Sequence, residues 1–423
     1  METNSQTSRR FSLACIAILV TALWLASTAH GQLKEDFTVD VGGGVYSLVA
    51  QPDGKILVAG TFTNIAGAAQ AALARFNPDG TLDSAFKPQI QGFPDILSSQ
   101  PDGKLLVGGV YMSNLPGQTI ALGRLNSDGT LDSTFKAEVS GFVFALALQP
   151  DGKILVGGGL SRLPGAASTG LVCLNPDGSL DTSFNPAGLV NVVALTMQED
   201  GKILLYDALN QMVRLNADGS RDASFNAEGD VHQTPCAVQS DGKILTIGIF
   251  ELRRLQPDGK LDMVLAPGNS SPVRCLGVLT DGKLLIGGGF SDAQGVRLAN
   301  LWRMNADGTL DTTFLPTDYD ELSISALAVQ ADGNILVAGS GSKLGLKKSL
   351  ITRLRNADPT TQILSFDGAS ATWLRSGCGP EIWRATFECS TNSSDWTTLG
   401  AGTRVAGGWR WTGTANLSPG SIV

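Results

Sequence analysis

The ten residues from Gln149 to Gly158 read QPDGKILVGG, and nearly the same sequence starts at Gln51 (QPDGKILVAG) and at Gln100 (QPDGKLLVGG). The Asp-Gly pair of this motif recurs at near-regular intervals, at Asp53, Asp102, Asp151, Asp200, Asp241, Asp281 and Asp332. A repeat with a period of roughly 40–50 residues is typical of solenoids, propellers and other arrays. We number seven units, one to seven, by these aspartates.

Each unit contains four short strand patterns. In unit three they are 143–149 (VFALALQ), 153–157 (KILVG), 170–175 (GLVCLN) and 180–184 (LDTSF). The first is almost wholly apolar with small alanines, which suits the innermost strand of a propeller blade. Seven such units predict an all-β fold, a seven-bladed β-propeller.

The N-terminus has the register of a missing strand. Unit seven has no glycine after Asp358 and no LDxxF segment, whereas residues 33–37 read LKEDF. Phe37 precedes Gln51 at the same spacing as Phe135 precedes Gln149. We therefore expect this N-terminal outer strand to complete the last blade, closing a propeller of residues 32–358 and removing its open sheet edges.

These motifs support a resemblance to a known family. QPDGKILVGG followed by ARLNxDGxLDxxF resembles the delta-60 repeat family of bacterial exported proteins, over residues 33 to about 358. The resemblance implies a propeller, but it brings no shared catalytic motif to place on this chain. Local departures are Arg221 for Leu and Leu265 for Phe in LDxxF, and Asn334 for the motif lysine.

Pro-Asp-Gly between two strands is turn chemistry, because proline presets φ and glycine supplies a positive φ. A phosphate loop is disfavoured, since GKI lacks the Ser or Thr after Lys and leads into a strand. A calcium loop at Asn77, Asp79 and Asp83 (NPDGTLD) has the wrong spacing and no distal Glu. Arginine instead recurs two residues before the Asn position, with Cys173 the exception, which predicts an ion pair with the second Asp of that stretch in every blade. These arginines are Arg75, Arg124, Arg214, Arg254 and Arg303, together with Arg353, which stands three residues before Asn356.

Strand order assigns the loops to two faces. The first and third hairpin turns of each unit are the Asp-Gly turns, which define the Asp-Gly face. The second hairpins and the crossovers between blades lie opposite, on what we call the loop face. The stretch from the first to the second Asp-Gly has one length in five units, but it is shorter in unit four (200–218) and in unit five (241–258). The loop face is therefore predicted to have a low wall on one side, suited to an extended ligand, with neutral loop loss as the alternative.

The last blade has the most polar residues on the loop face. Its crossover holds Asp318, Tyr319, Asp320 and Glu321, and its hairpin holds Lys343, Lys347 and Lys348. These seven are the candidate ligand-binding residues, for a cation or a polar ligand. The alternative is a set of solvated charges that pair weakly.

The first 31 residues predict an exported chain. Arg9 and Arg10 precede an apolar run from residue 11 to 26, and Ala29 and Gly31 suit the −3 and −1 positions of a cleavage site. A membrane anchor is the alternative, although the run is short for a span of ~20 residues. With residues 1–31 removed as a signal peptide, we expect no transmembrane span and a secreted, periplasmic or cell-surface location.

Charge and histidine content limit the function. Without residues 1–31 the chain has 29 basic and 38 acidic residues, a net charge of −9, which argues against nucleic acid as a partner. His232 is then the only histidine, so multi-histidine metal sites are excluded and histidine-dependent triads are disfavoured. We expect no metal and no cofactor.

Residues 359–423 predict a small all-β C-terminal module, in which five of the seven tryptophans lie between Trp373 and Trp411. Trp409 and Trp411 share one face of a strand and are aromatic candidates for sugar stacking, or else they form the core of the module. Cys378 and Cys389 are a disulfide candidate in an oxidising compartment. The sequence stops inside a strand pattern at residues 420–423, so the module is either truncated or pairs with another chain.

Three functions remain open from the sequence. The first is a non-catalytic binding or scaffold protein, not an enzyme, that engages an unknown polysaccharide or protein ligand on the loop face. The second is a carbohydrate-active enzyme with two carboxylates ~5–10 Å apart. The third is a structural component of an envelope assembly, joined through the C-terminal module.

Overall fold

A computed structural model describes residues 34–70, 72–115, 118–137, 139–162, 169–186, 188–207, 212–228, 237–247, 252–266, 273–289, 300–314, 322–343, 346–356, 360–367, 369–382, 385–390 and 396–413. Within these residues every regular element is a β-strand. In this described part of the chain, no helix has the length and apolar character needed to cross a membrane.

The strands of the repeats come first in the chain. They are β1 (Lys34–Val41), β2 (Val45–Ala50), β3 (Ile56–Gly60), β4 (Asn64–Ile65), β5 (Ala68–Ala69), β6 (Leu73–Phe76), β7 (Gln91–Ser99), β8 (Leu105–Leu115), β9 (Gln118–Leu125), β10 (Ser140–Leu148), β11 (Ile154–Arg162), β12 (Thr169–Leu174), β13 (Ala194–Met197), β14 (Ile203–Tyr206), β15 (Met212–Leu215), β16 (Ala237–Val238), β17 (Ile244–Ile247), β18 (Leu252–Leu255), β19 (Leu261–Ala266), β20 (Val273–Val278), β21 (Leu284–Gly288), β22 (Leu301–Met304), β23 (Leu322–Val329), β24 (Ile335–Lys343) and β25 (Leu346–Arg355). The strands of the C-terminal module follow as β26 (Thr361–Phe366), β27 (Ser370–Ser376), β28 (Thr386–Cys389), β29 (Thr397–Ala401), β30 (Thr403–Val405) and β31 (Gly408–Thr412).

The repeats form a series of small antiparallel sheets, one per unit. Five have three strands, in the orders β2-β3-β6, β7-β8-β9, β10-β11-β12, β13-β14-β15 and β20-β21-β22. Unit five has four strands, β16-β17-β18-β19, and the sheet of unit seven runs β23-β24-β25-β1-β4-β5. Apolar clusters join neighbouring sheets, so each sheet packs face to face against the next.

The predicted fourth strand is shorter than expected in five units. There the LDxxF segment makes only a single bridge to the third strand, as between Leu174 and Leu180. The segment turns because its aspartate caps it: Asp181 Oδ1 accepts from Ser183 N at 2.9 Å, and Phe184 N donates to Asp181 O at 3.3 Å. The carboxylate therefore stops the strand that the alternating pattern suggested.

The opening motif is a hairpin turn. Gly152 N donates to Gln149 O at 3.0 Å, Gln149 N donates to Lys153 O at 2.8 Å, and Gly152 has a φ of +84°. Asp151 Oδ1 accepts from Lys153 N at 3.1 Å, which fixes the corner. A Cβ added to Gly152 would lie 3.4 Å from Pro176 Cγ, so the two Asp-Gly turns of a unit lie side by side on one face.

A charged clasp links a unit to the next in five of the seven units. In unit two, Arg124 Nε donates to Asp132 Oδ2 at 2.8 Å, and Arg124 Nη1 donates to the carbonyl of Pro176 in unit three at 2.5 Å. The motif lysine Lys104 joins through Nζ at 2.9 Å from the same Oδ2, and the arginine lies 4.5 Å from the ring centroid of Phe135. The predicted ion pair is confirmed, and the carboxylate is the Asp of LDxxF.

The N-terminal strand supplies this clasp to unit seven. β1 pairs with β25 from Lys34↔Arg355 to Val41↔Ser349. Asp36 Oδ2 accepts from Arg353 Nε at 2.7 Å, and Arg353 lies 4.7 Å from the ring of Phe37. Val39 and Val41 are buried in one apolar cluster with residues of β2, β3, β24 and β25. The N-terminal segment therefore takes the place of LDxxF in the last unit, as its register predicted.

The C-terminal module contains two sheets, β26-β27-β31-β30 and β28-β29. It contacts the Asp-Gly turn of unit six. Thr280 N donates to Gly379 O at 2.9 Å, Glu381 N donates to Val278 O at 3.1 Å, and Leu279 bridges Pro380. Because β20 is the inner strand of its sheet, the module attaches at the inner edge of unit six, on the Asp-Gly face.

Candidate functional site

The predicted polar site is only partly within the described residues. Asp318, Tyr319, Asp320 and Glu321 lie outside them. The backbones of the three lysines meet at the end of the β24–β25 hairpin, where Lys343 pairs with Leu346, Ser342 with Lys347 and Gly341 with Lys348. The hairpin thus gathers the lysines on the loop face, and their meeting with the acidic crossover stays a prediction.

The second strands of the units differ in length among the described residues. Each starts at the same repeat position, yet β8 has 11 residues and β11 and β24 have 9, whereas β3 and β21 have 5 and β14 and β17 have 4 each. The loop residues that follow β14 and β17, 208–211 and 248–251, lie outside the described residues. The low wall at units four and five therefore stays a prediction.

Three exposed apolar side chains lie at the loop-face end of the inner strands. Phe93 on β7 is 48% exposed, Phe142 on β10 is 39% exposed, and Val190, in the crossover before β13, is 53% exposed. Phe142 also stacks on Phe144, with ring centroids 6.2 Å apart. We call these three residues the mouth surface. They belong to units two, three and four.

The sequence reasoning missed the mouth surface. An apolar residue in an apolar strand has the same pattern whether it lies in the core or at the exposed end of the strand. The available signal was register, because Phe93 and Phe142 stand at the same spacing before the Gln of the motif, where units one and four have Gly44 and Asn191.

A second site lies on the opposite, Asp-Gly face. A cavity of about 290 Å³ separates the C-terminal module from the turns of units five and six. Ser240 and Thr280 line it from the turns, and Arg375, Glu381, Arg404 and Trp409 line it from the module. We call it the module cavity. The near-constant sequence of the Asp-Gly turns contains no signal that predicts a site on this face.

The module cavity is lined by buried charges. Arg404 pairs with Glu381 and donates from Nη1 to Ile382 O at 2.9 Å. Glu381 is only 6% exposed, and burial raises the pKa of its carboxyl despite the neighbouring arginine. Arg375 is likewise 6% exposed, and burial lowers the pKa of its guanidinium. Two cations and one buried carboxyl thus lie along the wall of one small cavity.

The predicted aromatic residues belong largely to the interior of the module. Trp409 is 4% exposed and packs in a cluster with Trp373 and Phe387, against which Trp411 is partly buried. The guanidinium of Arg404 lies 5.3 Å from the ring centroid of Trp409. Both tryptophans therefore contribute to the core of the module rather than to an open stacking platform, and Trp409 also lines the module cavity.

The predicted disulfide is not formed in the structure, where Cys378 and Cys389 are both thiols. Cys378 is 1% exposed and packs in an apolar cluster with residues of units six and seven. Cys389 ends β28, in the other sheet of the module. Packing of Cys378 against the repeats therefore separates two residues that are close in sequence. Among the described residues, no group of three or more His, Cys, Asp or Glu side chains is placed to hold a metal ion.

Comparison with known proteins assigns the repeat. Six stretches match the family model described as "Domain of unknown function (DUF5122) beta-propeller", namely residues 51–86, 100–135, 149–184, 198–225, 239–263 and 279–314. The curated proteins include no match to the chain. The chain is an all-β, propeller-like repeat protein built from repeated small sheets.

Several solved structures are similar to this chain at low sequence identity. The WD40 β-propeller domain of Doa1 is 17% identical with a TM-score of 0.53, and the match covers 77% of this chain and 97% of that one. Streptogramin B lyase is 13% identical with a TM-score of 0.48, covering 75% and 97% of the two chains. The extracellular domain of the putative hybrid two component system BT3049 from B. thetaiotaomicron is 12% identical with a TM-score of 0.49, covering 93% of this chain and 52% of that one.

Proposed function

We propose that the chain is an exported, non-catalytic binding scaffold of the delta-60 repeat type, a seven-bladed β-propeller closed by its N-terminal strand. Its ligand, a polysaccharide or another protein, engages the loop face. The observation that carries the proposal is the mouth surface, with exposed Phe93 and Phe142. The sequence predicts a low section of the rim beside it, at units four and five, where the loops are shorter.

Contacts between the first and last units support closure. Ser325 Oγ of unit seven donates to Val45 O of unit one at 2.7 Å, and Gln330 Nε2 donates to Gly54 O at 3.4 Å. Val45 and Leu48 share an apolar cluster with Ala326 and Leu336. With seven repeated sheets and a last unit completed by β1, the two ends of the repeat array meet each other rather than solvent.

The arrangement of the two faces supports ligand binding at the loop face. The inner edge of unit six on the Asp-Gly face is occupied by the C-terminal module. The loop face keeps exposed aromatic rings, and such rings offer large apolar contact area at low cost in side-chain entropy. An elongated ligand can enter over the low section of the rim and reach Phe142.

Export rests on the N-terminal pattern of Arg9 and Arg10, the apolar run and the small residues before residue 32. A non-catalytic role rests on the sequence, in which no known catalytic motif was recognised and one histidine remains after residue 31.

The test compares two single variants of the full chain on a polysaccharide array and in a hydrolysis screen. Phe142→Ser removes a mouth residue that is 39% exposed, and Phe366→Ser removes a phenylalanine of β26 that is 38% exposed and lies in the C-terminal module. We expect the first variant to lose array binding and the second to keep it. Equal binding by both variants would place the ligand elsewhere, and turnover of any bound glycan would contradict a non-catalytic function.

A further inference from the structure

The module cavity is a second concave site, separate from the loop face. Its walls come from two parts of the chain that are far apart in sequence: the turns of units five and six, and β27, β30 and β31 of the module. Its volume of about 290 Å³ is at the small end of ligand pockets, which span ~300–1,000 Å³. The space suits a molecule the size of one sugar or one amino acid.

Arg375 is the feature that points to a ligand. Its side chain is buried, with 6% exposure, and its Nη1 donates to Pro380 O at 2.9 Å. Within the described part of the chain, its Nε has no hydrogen-bond acceptor. A buried guanidinium donor without an acceptor is costly, because desolvation is not offset by a bond. Since Nε is itself closed off from solvent, a ligand in the cavity would offset this cost through the charge of the guanidinium.

The neighbouring charges define the kind of acceptor. Glu381 is already paired with Arg404, so one positive charge, that of Arg375, is left without a direct carboxylate partner among the described residues. Glu199 of the unit-four turn also acts on Glu381 electrostatically, but it is exposed to solvent. The buried part of the cavity therefore has an excess of one positive charge, which favours a monoanion over a dianion.

We propose that the module cavity binds the carboxylate of a small ligand, with Arg375 as its principal partner. A guanidinium matches a carboxylate in charge and in hydrogen-bonding geometry, and Arg375 lines the cavity. The body of the ligand lies against Trp409 and the turn residues Ser240 and Thr280. An acidic sugar and a peptide C-terminus both present this carboxylate.

The test measures binding to the full chain by tryptophan fluorescence and by ligand-observed NMR. The probes form two pairs, glucuronate against glucose and N-acetylglycine against N-acetylglycinamide, so that each carboxylate has a neutral counterpart of similar shape. We expect one or both carboxylates to bind saturably and their neutral counterparts to bind at least ~10-fold more weakly. The pair that shows the difference identifies the source of the carboxylate. Equal affinity within both pairs, or the absence of binding by all four probes, would overturn the proposal.

Two variants locate the site. Arg375→Gln removes the charge and is expected to weaken carboxylate binding at least ~10-fold, but it changes a buried residue. Ser240→Glu instead adds a negative charge at an exposed position on the cavity wall, where unit four naturally has Glu199. Ser127→Glu is the matched control, since Ser127 is also an exposed serine before an Asp-Gly on the same face, but in unit two. We expect Ser240→Glu to weaken binding about fivefold or more and Ser127→Glu to leave it unchanged. Equal effects of the two serine variants would show that the carboxylate does not bind in the module cavity. Because the loop face is untouched, failure here leaves the loop-face result unaffected.

Discussion

Replacing Asp36 with alanine tests whether the N-terminal strand has the structural role of an LDxxF segment. Asp36 is 15% exposed and bonds to both Arg353 and Arg355, whereas in unit one Asp83 bonds to Arg75 and Lys55. If the two carboxylates have the same role, Asp36→Ala and Asp83→Ala destabilise the chain by similar amounts, although Asp36 lies far from its partners in sequence.

The expected cost follows from the burial of the arginine. Removing one partner of a buried ion pair costs about 3–5 kcal/mol, because the other charge is left unpaired. Arg353 is 12% exposed and keeps its bond to Pro78 O, so we expect about 2–3 kcal/mol for Asp36→Ala. At about 2.1 cal/mol/K of unfolding entropy per residue, a chain of 423 residues then loses about 3 °C in Tm.

The assay is thermal unfolding of the full chain followed by circular dichroism, with urea unfolding as a check. The control is Asp53→Ala, because Asp53 is exposed and accepts only a local bond from Lys55 N at 3.1 Å, so that its loss costs under about 1 kcal/mol. A wild-type Tm for Asp36→Ala together with a lowered Tm for Asp83→Ala would refute the role of the N-terminal strand.

Four further outcomes are expected. Gly158→Ala lowers the Tm by a few degrees, because a Cβ there would lie 1.8 Å from Phe142 O. Gly159→Ala lowers the Tm less, because its Cβ would meet only the side chains of Asn191, at 3.1 Å, and Phe142. Thermal unfolding compares the two variants. Stability falls steeply between about pH 4 and pH 2 in acid titrations followed by circular dichroism, since hydrogen bonds and cations hold the pKa of the clasp aspartates below the ordinary value, and that of Asp181 at about 2. Stability falls with falling pH because a carboxyl whose pKa is depressed in the folded state stabilises the fold above its ordinary pKa, and this contribution is lost as the pH falls through the folded-state pKa. Stability that is unchanged down to about pH 2 would contradict the clasp. Iodoacetamide labels half-buried Cys389 in the native chain and labels buried Cys378 only after unfolding, which peptide mass spectrometry measures. If the two cysteines formed a disulfide, neither would be labelled before or after unfolding. Leu279→Gln, which restores the residue found at this position in the other six units, exposes the module to proteolysis because a polar side chain replaces one that is fully buried; an unchanged digestion pattern would contradict this contact.

Repetition is the reason why most of the fold could be predicted. The Asp-Gly turns, the strand order and the ion pair of the clasp depend on residues close together in sequence, and each recurs in several units, so local chemistry was seen many times. The N-terminal strand was predictable from one count, the spacing of Phe37 from Gln51. The position of its carboxylate was not predictable, because Asp36 stands at the fourth position of LKEDF, whereas the aspartate of LDxxF stands at the second. Unit seven has Asn334 in place of the motif lysine, and in the structure Arg355 supplies the second cation that bonds to Asp36.

The sites were harder to predict because they depend on contacts between distant segments. Whether Phe142 is exposed depends on how far the neighbouring inner strands extend, and sequence alternation does not encode this. The module cavity depends on pairing between the segments 278–280 and 379–381, which are far apart in the chain. The tryptophan-rich composition predicted a β module, but it could not say which surface of the propeller the module covers.

A departure from the repeat nevertheless marks where the module attaches. In units five and seven the Gln of the motif donates its side-chain amide to the glycine carbonyl of the next unit, from Gln239 to Gly282 and from Gln330 to Gly54. Unit six has Leu279 instead, which is fully buried and shares an apolar cluster with Cys378.

The clasp arginine of unit six also contacts the module. The clasp arginines of units one, two, four, five and seven reach a turn carbonyl of the next unit, as Arg254 does at Ala306 O. Arg303 Nη1 of unit six lies 3.4 Å from Asn356 Oδ1 and 3.5 Å from Cys378 Sγ. Leu279 and Arg303 are therefore two places at which unit six meets Cys378 of the module, and the module cavity is a consequence of that docking.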